Sequence, residues 1–252
     1  MSAPEVQLSP LPRADGSAAF SHNGFKVLAS VNGPIEAPKK DEAAFEAVID
    51  VIIRPASGVG GTRERHQESL LRAALATLIP VKNFPQCSIQ IVLQVTETPT
   101  NDYVNAKIVQ GQSDPSALPP LLHAAILSLM TAAIPLNCLA AACTIAISPE
   151  TSELIVEPTA VQISRARSVH VLGFTSTDEL LITESQGAFS ASELQQVLAR
   201  AKEVCCKPVT DEQGLDTAME DVGGKEVTNM KQFMRSAMVA KVQGDLHWKT
   251  SA

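Results

Sequence analysis

The amino-acid sequence predicts an α+β fold, a mixed α and β domain with much antiparallel pairing. Short apolar runs that alternate with period two recur along the chain, which is typical of strands. Two of these runs flank Asn23-Gly24, a dipeptide favoured in tight hairpin turns. Segments with apolar residues at helical spacing lie between the runs. Strands and helices therefore interleave along one chain.

Composition sets limits on this domain and on its partners. The chain has 252 residues, enough for one large domain or two small ones with a sizeable core. Apolar residues make up 45% and aromatic residues only 4%, so aliphatic side chains must build that core. The net charge is -7. Any contact with nucleic acid must therefore come from a local basic patch.

The first half of the chain predicts three strands, a helix and a fourth strand. The segment "SAAFSHNGFKVLASV" is a hairpin, and "VIDVIIRP" is a strand that ends at Pro55. The helix follows in "ERHQESLLRAALATLI", and "CSIQIVLQVT" alternates as a strand. Residues 97–116 are polar and turn-rich, which predicts a surface insertion.

A long uncharged segment opens the second half. No Asp, Glu, Lys or Arg occurs from Pro115 to Pro149, but Pro135 interrupts the apolar run. A membrane span needs about 20 continuous apolar residues. We therefore predict a buried helix near Leu118–Ala133 and a buried strand near Cys138–Ile147, with no membrane association.

Two strands and two helices follow this segment in the prediction. The strands are "SVHVLGFT" and "ELLITES". The next segment, "SASELQQVLARAKEVCC", is a helix capped by Ser190 or Ser192. The last, "KEVTNMKQFMRSAMVAKV", is an amphipathic helix at the periphery.

Cofactor and metal motifs are missing from the sequence. In "GVGGT" Gly61 is followed by Thr62-Arg63, whereas a phosphate loop needs Gly-Lys-Ser/Thr. None of the five cysteines forms a C-x-x-C pair, and no His lies at zinc-ligand spacing. We expect buried reduced thiols, a core role for His123, and neither cofactor nor metal.

Two groups of polar residues remain as functional candidates. Arg54, Arg63 and Arg65 belong to the densest basic cluster, which is either a solvated helix start or a contact for RNA phosphates. Glu157 ends the strand "LIV" in "ELIVEPTAVQIS". Acid–base or metal-assisted catalysis on a phosphodiester usually needs two convergent carboxylates. Because Glu157 is a single acid, we expect it to cap the following helical segment.

An ordered set of segments resembles the RNase PH family. The set covers roughly residues 13–207 and comprises "ADGSAAF…NGFKVLASVNGPIEA", "TRERHQESLLRAALATLI", "FPQCSIQIVLQV", "AAILSLMTAAIPL", "LIVEPT" and "SQGAFSASELQQVLARAK". The resemblance implies the RNase PH fold, which is ribosomal protein S5 domain 2-like, with mixed sheets packed against helices. Residues 1–12 then form an N-terminal tail, 13–207 the domain, and 208–252 a C-terminal tail with a peripheral helix.

The resemblance also implies an active site that has lost its catalytic residues. Active members phosphorolyse RNA from its 3′ end with a phosphate-binding Arg and two Asp residues six positions apart. Aligned with them, this chain has Ala117 at the Arg position, Pro158 at the first Asp and Ser164 at the second. We therefore expect no enzymatic activity. An active phosphate-dependent 3′-to-5′ exoribonuclease is the alternative, and an interaction domain without RNA is a third possibility.

Two further stretches, "RPASGVGGTRE" and "PIEAPKK", narrow the resemblance to a fungal type of ring subunit in the eukaryotic RNA exosome. Such subunits pair and close a six-membered ring around an RNA channel. The implied partners are other RNase PH-like ring subunits, S1/KH-type cap subunits, a separate nuclease subunit and the RNA itself. The implied location is the nucleus, nucleolus and cytoplasm.

Overall fold

The computed structural model describes residues 3–39, 43–99, 114–149, 153–206, 219–220, 226–227 and 229–250. The strands within these ranges are β1 Glu5–Leu8, β2 Gly16–His22, β3 Phe25–Glu36, β4 Val48–Arg54, β5 Cys87–Glu97, β6 Ala140–Ile147, β7 Leu154–Val156, β8 Ser168–Thr175, β9 Leu180–Gly187, β10 Met219–Glu220 and β11 Glu226–Val227. The helices are α1 Thr62–Leu78, α2 Leu118–Thr131, α3 Ala160–Arg165, α4 Ala191–Cys206, α5 Met230–Asp245 and α6 His247–Thr250.

A five-stranded sheet in the order β1-β2-β3-β5-β4 forms from the first part of the chain. Its neighbours are antiparallel except for β4 and β5, which run parallel because α1 connects them. The predicted hairpin of β2 and β3 is confirmed. Asn23 and Gly24 both have positive φ, 52° and 79°, as a type I′ turn requires.

The first strand corrects the predicted N-terminal tail. Part of residues 1–12 forms β1, in which Val6 lies opposite Phe20 of β2. Val6 and Leu8 pack against the hydrophobic core, while Glu5 and Gln7 face outward. A four-residue strand gives only two alternations, too few to distinguish it from the Pro-rich sequence around it.

Helix α2 lies between two sheets, which explains the uncharged segment. It contacts β2 and β3 of the five-stranded sheet and β6 of a second sheet. Its residues Leu118–Leu129 are buried on every side, and all eight residues of β6 are buried. A helix that is apolar all round is stable only in such surroundings. Among the described residues, no helix is long and apolar enough to cross a membrane.

The second sheet is antiparallel, with strand order β7-β6-β8-β9, and α4 packs on it. Ser190 is the residue that caps α4, because its Oγ accepts the Glu193 N–H at 3.3 Å. The Glu193 carboxylate in turn accepts the Ser190 N–H at 2.7 Å. That hydrogen bond, with the Arg167 guanidinium, lowers the pKa of Glu193 to about 2.

Helix α5 differs from the peripheral helix that the sequence predicts. Met230 and Met234 belong to the hydrophobic core, and the ring of Phe233 lies 6.4 Å from that of Phe20. The C-terminal half of α5 is exposed, including Val239 and Val242. The predicted C-terminal tail therefore contributes its first helical turns to the core.

Candidate functional site

The three candidate arginines lie on β4 and on the first turn of α1. Arg54 is exposed at the end of β4, and the glycine-rich loop follows it. Helix α1 begins at Thr62, so Arg63 and Arg65 lie within the helix and not in the loop that precedes it. This corrects the predicted helix start by two residues. Gly61, which precedes the helix, has an extended backbone.

Arg63 is held by the residue next to it. Its Nε and Nη2 both lie 2.9 Å from Glu64 Oε1. Glu64 is buried, and its Oε2 accepts the Gly61 N–H at 2.6 Å. An internal carboxylate therefore occupies the N-terminus of α1, where an anion would otherwise be favoured. The first turn of α1 is not an open phosphate site.

Arg54 and Arg65, in contrast, are brought together at an open groove of about 710 Å³. The C-terminal half of β4, the glycine-rich loop and the first turns of α1 line it. Arg72 also borders the groove, and its Nη2 lies 3.8 Å from Asp50 Oδ1. The groove carries acids as well, including Glu68, so its charge is mixed and not purely basic.

Ala117 ends a short 3₁₀ turn, Pro115–Ala117, just before α2. The turn is fixed by Asp114, which accepts hydrogen bonds from both the N–H and the hydroxyl of Ser116. Ala117 is half-buried and lines a cavity of about 30 Å³ together with Arg63 and Glu64. Such a cavity has space for about two water molecules. Residues 100–113 of the predicted insertion lie outside the described residues.

Pro158 lies just before α3, and Ser164 lies within that helix. Pro158 is buried, and Ser164 is exposed on α3. The Ser164 hydroxyl donates to the Val161 carbonyl at 2.9 Å. The cap of α3 is formed by Thr159, whose N–H donates to Gln162 Oε1 at 2.8 Å. The expectation that Glu157 caps this helix is therefore wrong.

Glu157 instead forms a buried pair with His22. Its Oε2 lies 3.2 Å from His22 Nε2, and both side chains are nearly inaccessible to solvent. The Glu157 N–H donates to the Thr144 carbonyl at 2.8 Å, with φ at +49°. The pair joins the end of β2 in one sheet to the end of β7 in the other. Glu157 therefore has a structural role, but as a link between the two sheets and not as the predicted cap; sequence reasoning missed its pairing with His22.

His123 lies in the same region of the core. Its Nε2 accepts the Ala142 N–H at 3.0 Å, and its ring meets Phe20 edge-on at 5.6 Å. Burial, together with the nearby His22, lowers the pKa of His123 to about 3. The neutral ring therefore carries its proton on Nδ1, which has no hydrogen-bond partner among the described residues. His123 is thus a core residue, as predicted.

The part of the chain that the structure describes offers no set of side chains that could ligate a catalytic metal ion. No three of its His, Cys, Asp and Glu side chains are arranged to hold a metal ion. The five cysteines are free; Cys143 and Cys205 are buried, and burial raises the pKa of the Cys206 thiol. The Cys206 thiol therefore stays protonated at neutral pH.

Comparison with known proteins gives a consistent picture. The model of the RNase PH family, described as "3′ exoribonuclease family, domain 1", matches residues 3–135. "Exosome complex component RRP46" of Saccharomyces cerevisiae is 33% identical over 213 residues, which cover 82% of this chain and 92% of that protein.

Two plant proteins are also similar. "Exosome complex exonuclease RRP46 homolog" of Arabidopsis thaliana is 29% identical over 174 residues, 69% of this chain and 66% of that protein. The crystal structure of Rrp46 from rice, Oryza sativa, superposes with a TM-score of 0.67 at 24% identity. That match covers 79% of this chain and 87% of the rice chain, and it shows a shared fold.

Proposed function

Because the chain belongs to the RNase PH family, and within it to the exosome subunits of RRP46 type, we propose that it is a non-catalytic structural subunit of the exosome core ring. In this role it supports 3′-to-5′ RNA processing and degradation by helping to form the channel through which RNA passes. The expected RNase PH fold is confirmed by the family match and by the rice structure.

One observation carries the non-catalytic part of the proposal. At the positions aligned with the phosphate-binding Arg and the two Asp residues, the chain has a methyl group, a proline ring and a hydroxyl. None of these binds a phosphate dianion as strongly as Arg or takes up a proton as Asp does. The neighbouring acid, Glu157, is buried against His22. The electrostatic repulsion between a bound phosphate and the anionic RNA backbone would therefore remain uncompensated.

The proposed partners follow from the family. The yeast relative carries the name of an exosome complex component, so we assign related RNase PH-like subunits as neighbours in the ring. The proposal extends to S1/KH-type cap subunits, to an associated catalytic nuclease and to RNA in the channel. It places the complex in the nucleus, nucleolus and cytoplasm.

An RNA phosphorolysis assay tests the proposal. The purified chain, incubated with inorganic phosphate and an RNA that has a free 3′ hydroxyl, is expected to release no nucleoside diphosphate above background. The reason is the absence of a phosphate clamp. An active RNase PH enzyme serves as the positive control. Diphosphate release that co-purifies with the chain and is lost on mutation of Glu157 would contradict the proposal.

The alternative is an active phosphate-dependent exoribonuclease of the same fold. It is favoured by one observation, the word "exonuclease" in the name of the Arabidopsis relative. The same assay decides between the two functions. A positive result would direct attention to the small cavity at Arg63 and Ala117.

The groove beside β4 supplies the RNA-contact candidates. We expect Arg54 and Arg65 to border the RNA path, whereas Arg63 contributes less because Glu64 already neutralises it. In the reconstituted complex, Arg54→Ala with Arg65→Ala should weaken RNA protection by about 1 kcal/mol per contact, and less at higher salt.

Nuclease protection at two salt concentrations measures this effect. Arg235→Ala, which removes an exposed guanidinium from α5, is the matched control and should leave protection unchanged. If the double variant protects RNA as well as the natural sequence at low salt, the two arginines form only a solvated surface.

A further inference from the structure

The loop between β4 and α1 contains a serine, Ser57, that lies three residues after Arg54. Basophilic protein kinases select this Arg-x-x-Ser spacing, because carboxylates of the kinase bind the guanidinium while the serine hydroxyl reaches the γ-phosphate of ATP. In the whole sequence the spacing occurs at two serines, Ser57 and Ser168. The sequence alone therefore does not decide between these two serines.

The structure separates the two serines by their accessibility. Ser168 is 1% exposed on β8, which pairs with a strand on each side, and its Oγ lies 3.1 Å from Nε2 of the buried His170. Ser57, in contrast, is partly exposed in a loop, and its hydroxyl has no hydrogen-bond partner among the described residues. A kinase must enclose the acceptor segment in its own cleft, so Ser57 is the serine that it can reach in the folded protein.

The backbone on both sides of Ser57 suits binding in such a cleft. Arg54 is exposed at the end of β4, and Pro55 favours an extended conformation of the residue that precedes it. After the serine, Gly58 and Val59 are exposed. Gly58 has φ at +79° and carries no side chain, so the backbone can straighten there at little cost.

A phosphate on Ser57 would have cationic neighbours. Arg54 and Arg65 line the groove that this loop borders, and neither is paired with a carboxylate of the described residues. The other two arginines nearby, Arg63 and Arg72, already lie 2.9 Å and 3.8 Å from carboxylate oxygens. Guanidinium groups bind phosphate through charge-assisted hydrogen bonds. Arg54 and Arg65 are therefore the groups that remain to receive the phosphate.

We propose that Ser57 is a phosphorylation site for a basophilic protein kinase, and that Arg54 and Arg65 bind the phosphate it carries. In the reaction Ser57 Oγ bonds to the γ-phosphorus of ATP, the bond from that phosphorus to the β–γ bridging oxygen breaks, and ADP leaves. The hydroxyl proton passes to the catalytic carboxylate of the kinase.

Phosphorylation changes the charge of the groove. The phosphate adds about 1.5 to 2 negative charges at neutral pH, which offsets the two guanidinium charges. Arg54 and Arg65 are the RNA-contact candidates, so phosphorylation would remove their contact with RNA phosphates. This last consequence rests on the proposed function, whereas the phosphorylation itself does not.

Incubation of the folded chain with ATP and a purified calmodulin-dependent protein kinase, which selects this spacing, tests the site. Peptide mass spectrometry is expected to find phosphate on Ser57 and at least tenfold less on Ser168. Two synthetic peptides, one around each serine, show how well the kinase accepts each sequence when neither serine is buried. Arg54→Gln should slow the modification of Ser57 at least tenfold. A folded chain that stays unmodified at Ser57 overturns the proposal, whatever the peptides show.

Phosphorus NMR of the phosphorylated chain tests the two arginines. The second pKa of a phosphoserine is ordinarily about 6, and adjacent guanidinium groups should lower it by about 0.5 pH unit. Arg65→Gln, which leaves Arg54 for the kinase, should restore roughly half of that shift. Arg235→Gln on α5 is the matched control and should leave the pKa unchanged. An identical pKa in the natural sequence and in Arg65→Gln overturns the assignment of Arg65 as a phosphate partner.

RNA protection by the reconstituted complex separates the consequence for RNA from the site itself. At low salt the phosphorylated complex is expected to protect RNA no better than the Arg54→Ala, Arg65→Ala complex. Full protection by the phosphorylated complex, together with weak protection by the double variant, overturns the effect of the phosphate on RNA. Full protection by the double variant overturns the RNA contact in the proposed function and leaves the phosphorylation site standing.

Discussion

Mild acid is expected to destabilise the protein, and His123 should account for a large part of the loss. The folded-state pKa of His123 is about 3, well below the ordinary value of 6.5. Above pH 6.5 the ring is neutral in both the folded and the unfolded chain. Below it only the unfolded chain binds the proton, so the free energy of unfolding falls by about 1.4 kcal/mol for each pH unit down to pH 3.

Urea unfolding at several pH values measures this contribution. In His123→Gln the amide oxygen can still accept the Ala142 N–H, but no group titrates. From pH 7 to pH 5 the natural sequence should lose about 2 kcal/mol more than this variant. His66→Gln removes a largely exposed imidazole and serves as the control. Parallel pH profiles for the natural sequence and His123→Gln would contradict the assignment.

Gly16→Ala is expected to be among the most destabilising single changes. A Cβ on Gly16 would lie 2.3 Å from the Ser128 carbonyl oxygen and 2.4 Å from the Ala132 backbone nitrogen. Because backbone atoms cannot rotate away, strand β2 and helix α2 would have to separate. The expected loss in the free energy of unfolding is about 3 kcal/mol or more.

Thermal or urea unfolding of the variant gives the measurement. Gly244→Ala is the matched control, since nothing lies within 4 Å of a Cβ added there. It should stabilise α5 by up to about 1 kcal/mol through helix propensity. A loss below 1 kcal/mol in Gly16→Ala would show that the strand and helix are not in tight contact. The same contact gives a physical reason for the glycine in the "DGS" segment of the sequence.

Local patterns in the sequence were sufficient for most of the fold. The turn residues Asn23-Gly24 determine the hairpin, and the uncharged segment from Pro115 identifies α2 and β6 as buried. Strand β1 was not predicted, because four residues give too few alternations of apolar and polar residues to identify a strand. The order of strands in the sheets depends on long-range pairing, which a single sequence does not reveal.

The candidate site was less predictable than the fold. The substituted positions Ala117, Pro158 and Ser164 come from a family resemblance, and their roles remain predictions. The His22–Glu157 pair joins residues far apart in the chain, and no spacing rule brings them together. Arg63 and Glu64 are adjacent, yet only the buried position of Glu64 determines that they bond to each other and that Arg63 is withdrawn from the surface.

The position of α2 between two sheets has a consequence for how the chain is made. Strands β2 and β3 precede α2 in the sequence, whereas β6 follows it. During synthesis, one apolar side of this helix therefore stays exposed to solvent until the strands of the second sheet have left the ribosome. Transiently exposed apolar surface of this kind promotes aggregation. We expect the nascent chain to bind chaperones through residues 118–131 until the second sheet closes over them.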